Sequence, residues 1–216
     1  MNQKNPSLRL DSGLAIGYSA PLATVESTVC LGGGTHFLLA RNGRGKSTLL
    51  KTIAGSLKKI SGDFATQGFM QYLPEDMRFD SEITPKAIFK TLLPKPAHQS
   101  VFALADRIEL DINKLYGQLS TGNRRKTALI MAEYSVKQDR GNILLLDEPF
   151  SGLDAFARET FEQIWNDSSE NVLRLVSCHP DYDSMAMPSV ILIEGNNVSH
   201  HSAADQSWSK LKSLLN

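Results

Sequence analysis

The chain has 216 residues, 41% of them apolar, which suits one sizeable domain or one domain with a small inserted lobe. Lys plus Arg and Asp plus Glu number 23 each, so the balanced charge gives no global electrostatic case for nucleic acid or an anionic lipid surface as partner. No apolar run is long enough to span a bilayer, and the polar start, residues 1–11, lacks the apolar core of a signal peptide. Cys30 and Cys178 each sit among apolar neighbours and read as reduced cytosolic thiols rather than a disulfide.

In chain order, residues 1–9 read as a frayed start, 10–18 and 25–31 as short strands, and Gly32-Gly33-Gly34 as a turn. A strand at 37–40 runs into a glycine-containing turn. The helix expected over 47–57 puts Leu49, Leu50, Ile53, Ala54 and Leu57 on one side. Residues 64–73 hold one or two short strands before Pro74. From Glu75 the spacing is helical, over 82–93 and 97–109 with Pro94 and Pro96 between them, and again over 124–137 after Gly122. This part is expected to be a helical lobe inserted between sheet strands. Ile143-Leu144-Leu145-Leu146 predicts a strand buried on both faces. A helix at 155–165, strands at 172–177 and 190–193, and an amphipathic segment at 203–215 follow. Strands alternating with helices imply an α/β fold with a mostly parallel sheet.

The stretch 40–48, Ala-Arg-Asn-Gly-Arg-Gly-Lys-Ser-Thr, lies between an apolar strand and a helix. Gly43 and Gly45 let backbone N–H groups approach an anion, and the helix N-terminus adds its dipole. Lys46 supplies a mobile positive charge, and the Ser47 hydroxyl can hold a magnesium ion. The pattern is G-x-x-x-x-G-K-S/T with Ala40 in place of the first glycine. It predicts a P-loop for the phosphates of a nucleotide, against the plainer reading of a basic surface turn. Further on, the apolar strand 143–146 ends in Asp147, Glu148 and Pro149. Asp147 can lie beside the P-loop and accept from magnesium, and Glu148 can polarise an attacking water.

In these motifs, taken in order, the chain resembles the ATP-binding subunit of an ABC transporter. Leu119-Ser120-Thr121-Gly122-Asn123 is similar to that family's Leu-Ser-Gly-Gly-Gln signature. Residues 143–148 correspond to its Walker B strand, Ser151-Gly152-Leu153-Asp154 to its D-loop, and His179 to its switch histidine. The resemblance covers nearly all of residues 10–195. It implies a single ABC-type ATPase domain over 1–216, α/β with a mixed sheet core, a small antiparallel β part and an inserted helical lobe. The core would come from 1–75 and 140–216, and the lobe from about 76–139.

The resemblance also implies a site. ATP would be held by Asn42, Gly43, Arg44, Gly45, Lys46, Ser47 and Thr48, with Tyr18 stacked on adenine. Mg2+ would be held by Ser47, Glu75 and Asp147. Glu148, His179 and Lys46 would do the catalytic work. Ser120 and Gly122 would reach the γ-phosphate from a second copy or a related subunit, with Asp154 at the seam. Taken alone, Ser120 and Asp154 read equally as helix or turn caps, His179 as a packed strand-end histidine, and Tyr18 as a buried or turn tyrosine. Gln71 is the obvious glutamine for the family's switch position. Yet the stretch Tyr72-Leu73-Pro74-Glu75 matches in the register that puts Glu75 there, which leans towards an exporter-type subunit.

Ala40, Thr121 and Asn123 depart from the family pattern, and the span from Lys46 to Glu75 is short. ATP binding is expected to survive Ala40, while Thr121 could lower the rate. The implied partner is a separate transmembrane permease, with no nucleic acid, on the cytoplasmic face of the membrane. Phe79, Ile83, Phe89 and Phe102 are candidates for that contact or for packing inside the lobe. A non-transport ABC ATPase acting on ribosomes or nucleic acid and a low-turnover regulatory subunit are the alternatives.

Overall fold

The computed structural model describes residues 5–167, 170–178, 185–204 and 206–215. The strands are β1 Ser7–Leu10, β2 Ala15–Gly17, β3 Pro21–Val25, β4 Val29–Leu31, β5 Gly34–Ala40, β6 Phe64–Gln67, β7 Phe69–Leu73, β8 Asn142–Leu146, β9 Val172–Ser177, β10 Ser189–Glu194 and β11 Asn197–Ser202. The helices are α1 Lys46–Ile53, α2 Pro85–Leu92, α3 His98–Arg107, α4 Thr121–Tyr134, α5 Ala155–Asp167 and α6 Trp208–Lys212.

Eight strands form one mixed sheet in the order β2-β3-β11-β10-β5-β9-β8-β7. From β10 to β7 every neighbouring pair is parallel. The other edge turns antiparallel, through the β10–β11 hairpin and the β2–β3 pair. β4, β1 and β6 make a separate antiparallel sheet. The expected mixed core and small antiparallel part are both present.

The large sheet divides two apolar cores, which explains why its central strands lack alternation. Ile143 and Leu145 of β8 face the side that holds Leu49, Leu50 and Ile53 of α1 and the small sheet. Leu144 and Leu146 face the side that holds the helical lobe and α5. A strand covered on both faces reads as a near-continuous apolar run. α2, α3 and α4 join the second core through Ile88, Phe89, Val101, Leu104 and Leu129. Thr84 caps α2 by accepting from the Ala87 N–H at 3.2 Å, and Pro85 fills its first turn.

Several boundaries differ from the sequence reading. Ser7–Leu10 is a paired strand rather than a frayed start: Leu8 and Leu10 are buried while Ser7 and Arg9 point out. Stretch 10–18 is broken at Gly13, whose φ of 83° turns the chain into β2. Stretch 25–31 is likewise two strands, β3 and β4. α1 stops at Ile53 because Gly55, at φ 76°, lets Ser56 and Leu57 fold back onto the Lys51 carbonyl. β11 was not foreseen. Its polar residues pair with β10 across the two-residue turn Gly195-Asn196. Cys30 is exposed on β4 instead of sitting in apolar surroundings, while Cys178 is buried, and both thiols are free. Phe89 is fully buried and is lost as a surface contact, whereas Ile83 stays exposed.

Candidate nucleotide-binding site

β5 delivers the chain to the centre of the sheet, where Ala40 ends the strand and Gly43 and Gly45 turn it into α1. Gly43 and Gly45 have φ of 76° and 110°, in the left-handed region that side chains rarely adopt. Ala40 is not among the residues with positive φ, so alanine carries no backbone penalty at that position. A Cβ on Gly45 would press on the Leu22 side chain at 3.2 Å. Lys46 opens α1 and is buried. Its Nζ donates to the Ala40 carbonyl at 3.3 Å and stands 3.3 Å from Glu148 Oε1.

A cavity of about 720 Å3 opens over this turn. Asn42, Gly43, Gly45, Lys46, Ser47 and Thr48 line it, together with Tyr18, Leu22, Arg41, Glu75, Glu148, Ser151 and Gly152. Tyr18 is 68% exposed at its edge, so it is no core tyrosine. Arg44 is exposed and does not line the cavity. Glu75 does, while Gln71 sits back on β7 with its buried amide nitrogen making no hydrogen bond among the described residues.

The acid-bearing turn follows β8. Asp147 is buried, and its N–H donates to the Leu73 carbonyl at 2.9 Å, tying β7 to β8 beyond their ends. Hydroxyls from the two flanking strands hold its carboxylate. Ser177 donates to Oδ1 at 2.8 Å and Tyr72 donates to Oδ2 at 3.2 Å. Burial, reinforced by the Asp147 charge, pushes the Tyr72 phenol well above its usual range, so it stays a donor. The Glu148 N–H donates to Ser177 Oγ at 2.7 Å, and Glu148 itself has φ 46°. Tyr72 and Ser177 were missed by sequence reasoning. Each stands near the end of a strand that also carries another polar residue, Gln71 in β7 and Arg174 in β9, so no local pattern marks it out.

Ser120, Gly122 and Asp154 do not line the cavity. Ser120 caps α4 by accepting from the Asn123 N–H at 3.2 Å. Asp154 accepts from the Ala157 N–H at 2.8 Å at the start of α5 and pairs with Lys126 at 2.8 Å. The Lys126 bond holds its carboxyl below the usual range. Gly122 packs on the turn that lines the cavity: a Cβ there would meet the Gly152 carbonyl oxygen at 2.6 Å. Gly122→Ala is expected to force that turn away and cost about 1–3 kcal/mol, read as a lower denaturation midpoint. An unchanged midpoint would show that the turn relaxes freely. His179 lies outside the described residues.

The donors suit a nucleotide with its metal. Backbone N–H groups and a lysine face the space for phosphates, and Ser47 and Glu75 line it with hard oxygen atoms of the kind magnesium takes, while Asp147 is buried behind them and is not part of the lining. A glycine turn between β5 and α1, a lysine beneath it and an acid-ended strand nearby define a P-loop phosphate-binding protein.

The comparison with known families carries this further. Residues 27–151 match the family model described as ABC transporter, and the chain belongs to that family. It is 32% identical over 163 residues to the ABC-type organic anion transporter ABCA8B of Mus musculus, covering 68% of this chain and 10% of that protein. It is 29% identical over 210 residues to the vitamin B12 import ATP-binding protein BtuD of Yersinia enterocolitica, covering 86% of this chain and 82% of that one. The chain spans between 10% and 48% of the length of several curated relatives. A solved bacterial Atm1-family ABC exporter with ATP bound shares the fold, with a TM-score of 0.75 and 14% identity over 99% of this chain and 43% of that one.

Proposed function

We propose that this chain binds and hydrolyses ATP to power transport by a separate membrane permease, with each ATP clasped between two such subunits. One observation carries the reading. Lys46, Ser47, Glu75 and Glu148 meet around one open cavity, while Ser120, Gly122 and Asp154 stand outside it. That is the arrangement of half a site. The P-loop amides and Lys46 take the phosphates, and Tyr18 at the edge takes the base. Ser47 and Glu75 would hold Mg2+, with Asp147 behind them accepting directly or through water, its carboxylate oriented by the Tyr72 and Ser177 hydroxyls. Magnesium held there would supply positive charge against the phosphates. Glu148 accepts a proton from the attacking water. Ser120 and Gly122 of a second copy, or of a related subunit, complete the site with their N–H and hydroxyl donors at the start of α4.

No helix among the described residues is long and apolar enough to cross a membrane. In this reading the chain associates with the membrane through the permease, on the cytoplasmic face. Ile83 and Leu92 are exposed on the helical lobe and give that partner an apolar surface. Glu75 in the switch position inclines the reading towards export. Two measurements test the reading. The chain should form a dimer only with ATP and Mg2+ by light scattering, and should co-purify with a multi-span membrane protein from detergent extracts. ATPase activity stimulated by ribosomes or DNA, with no membrane protein retained, would replace it with the non-transport alternative.

A further inference from the structure

Arg125 sits in the first turns of α4, close to the Ser120 cap, and is 6% exposed. It forms no ion pair among the described residues. Its donors go to main-chain oxygens instead. Nε donates to the Pro149 carbonyl at 3.1 Å, and Nη1 donates to the carbonyls of Pro74 at 3.1 Å and Glu75 at 3.3 Å. Nη2 donates to the Asp147 carbonyl. Burial draws its pKa down, and the charges of Glu75, Asp147 and Glu148 oppose that shift.

All four acceptors lie just beyond β7 or just beyond β8, in backbone outside helix and strand. These are the two turns that carry Glu75, Asp147 and Glu148. Regular pairing ends with the single Asp147 N–H to Leu73 bond. Beyond that point the planar guanidinium is what joins the turns to each other and to α4. Only arginine presents donors in a fixed fork of this span; lysine offers a point charge on a flexible stem. Taking a guanidinium out of water costs several kcal/mol unless its donors are met, so the four carbonyls are required as much as held.

We infer that Arg125 is a positioning residue that sets Glu75 and the Asp147–Glu148 pair at a fixed separation for the metal and the attacking water. The inference rests on the magnesium reading proposed above for Glu75 and Asp147.

The test uses the full chain with Arg125→Lys, and with Arg125→Gln should the lysine variant fail to fold. Glu133→Ala, which breaks a buried pair elsewhere on α4, serves as a control for lost stability. ATP affinity in EDTA should change by less than about threefold. The concentration of Mn2+ that half-saturates the ATP complex, read by electron paramagnetic resonance, should rise at least about tenfold, equal to about 1.4 kcal/mol. Amide exchange in peptides spanning 74–76 and 147–150 should quicken. Unchanged Mn2+ binding in the lysine variant, or an equal shift in Glu133→Ala, would overturn the role of Arg125. A natural chain whose ATP complex binds no Mn2+ would overturn the magnesium reading, and this inference with it.

Discussion

Glu148→Gln is expected to lower ATP turnover by roughly 10²–10⁴-fold, the range for loss of a general base, while ATP still binds. The amide keeps the shape of the side chain but cannot accept the water's proton. The Ser177 bond to the Glu148 backbone is untouched by the change, so the turn should keep its geometry. What does change is the partner of Lys46, whose ammonium lies 3.3 Å from the carboxylate. Without that carboxylate the lysine is free for phosphate, so ATP affinity should hold or rise. Steady-state phosphate release beside nucleotide titration separates the two effects, and the ATP-bound dimer should persist on gel filtration. Turnover within about threefold of the natural chain would remove Glu148 from the role of base.

The second large effect concerns stability. Glu133 and Arg174 pair at 2.7 Å with side-chain exposures of 4% and 1%, and Trp165 Nε1 donates to the same carboxylate at 2.8 Å. Glu133→Ala removes the carboxylate that the buried Arg174 guanidinium and the Trp165 indole N–H share. Breaking such a pair from one side costs about 3–5 kcal/mol. Urea unfolding followed by tryptophan fluorescence should show the midpoint fall at unchanged slope. Replacing both members together, Glu133→Leu with Arg174→Met, should recover most of the loss, because no charge is then left stranded. A loss below about 1 kcal/mol for Glu133→Ala would mean that water reaches the site.

Much of this was legible in the sequence because it is written locally. The P-loop lies between an apolar strand and a helix. Asp147 and Glu148 close an apolar run, and the helical spacing between Pro85 and Arg107 marks the lobe. β1 was hidden because four alternating residues near a polar start carry little signal. β11 was hidden because Val198 is its one apolar residue, and the serines and histidines around it are half-buried or exposed and make polar contacts instead. The Ser189 hydroxyl, for example, bridges His36 and His200 at 2.7 and 2.9 Å. The grip on the acids was hidden for another reason. Tyr72, Ser177 and Arg125 meet Asp147 only after folding, and no local pattern reports such a meeting. Gln71 is the more conspicuous residue in the sequence, yet Glu75, reached only through register, is the one of the two that lines the cavity.

The handedness of one peptide unit decides what Glu148 does. Continued as an extended strand, β8 would put residue 148 on the face of Leu144 and Leu146, towards the helical-lobe core, because alternate residues share a side. A carboxylate there would be stranded in hydrocarbon. At φ 46° the chain leaves that alternation, and the side chain swings into the cavity beside Lys46. A non-glycine residue in that region costs about 1–3 kcal/mol, and the Ser177 hydroxyl is placed to offset it. The acid thus owes its place in the cavity to a local reversal of backbone hand, held by the Ser177 hydroxyl on one side and by the Ser151 N–H donating to its carbonyl on the other.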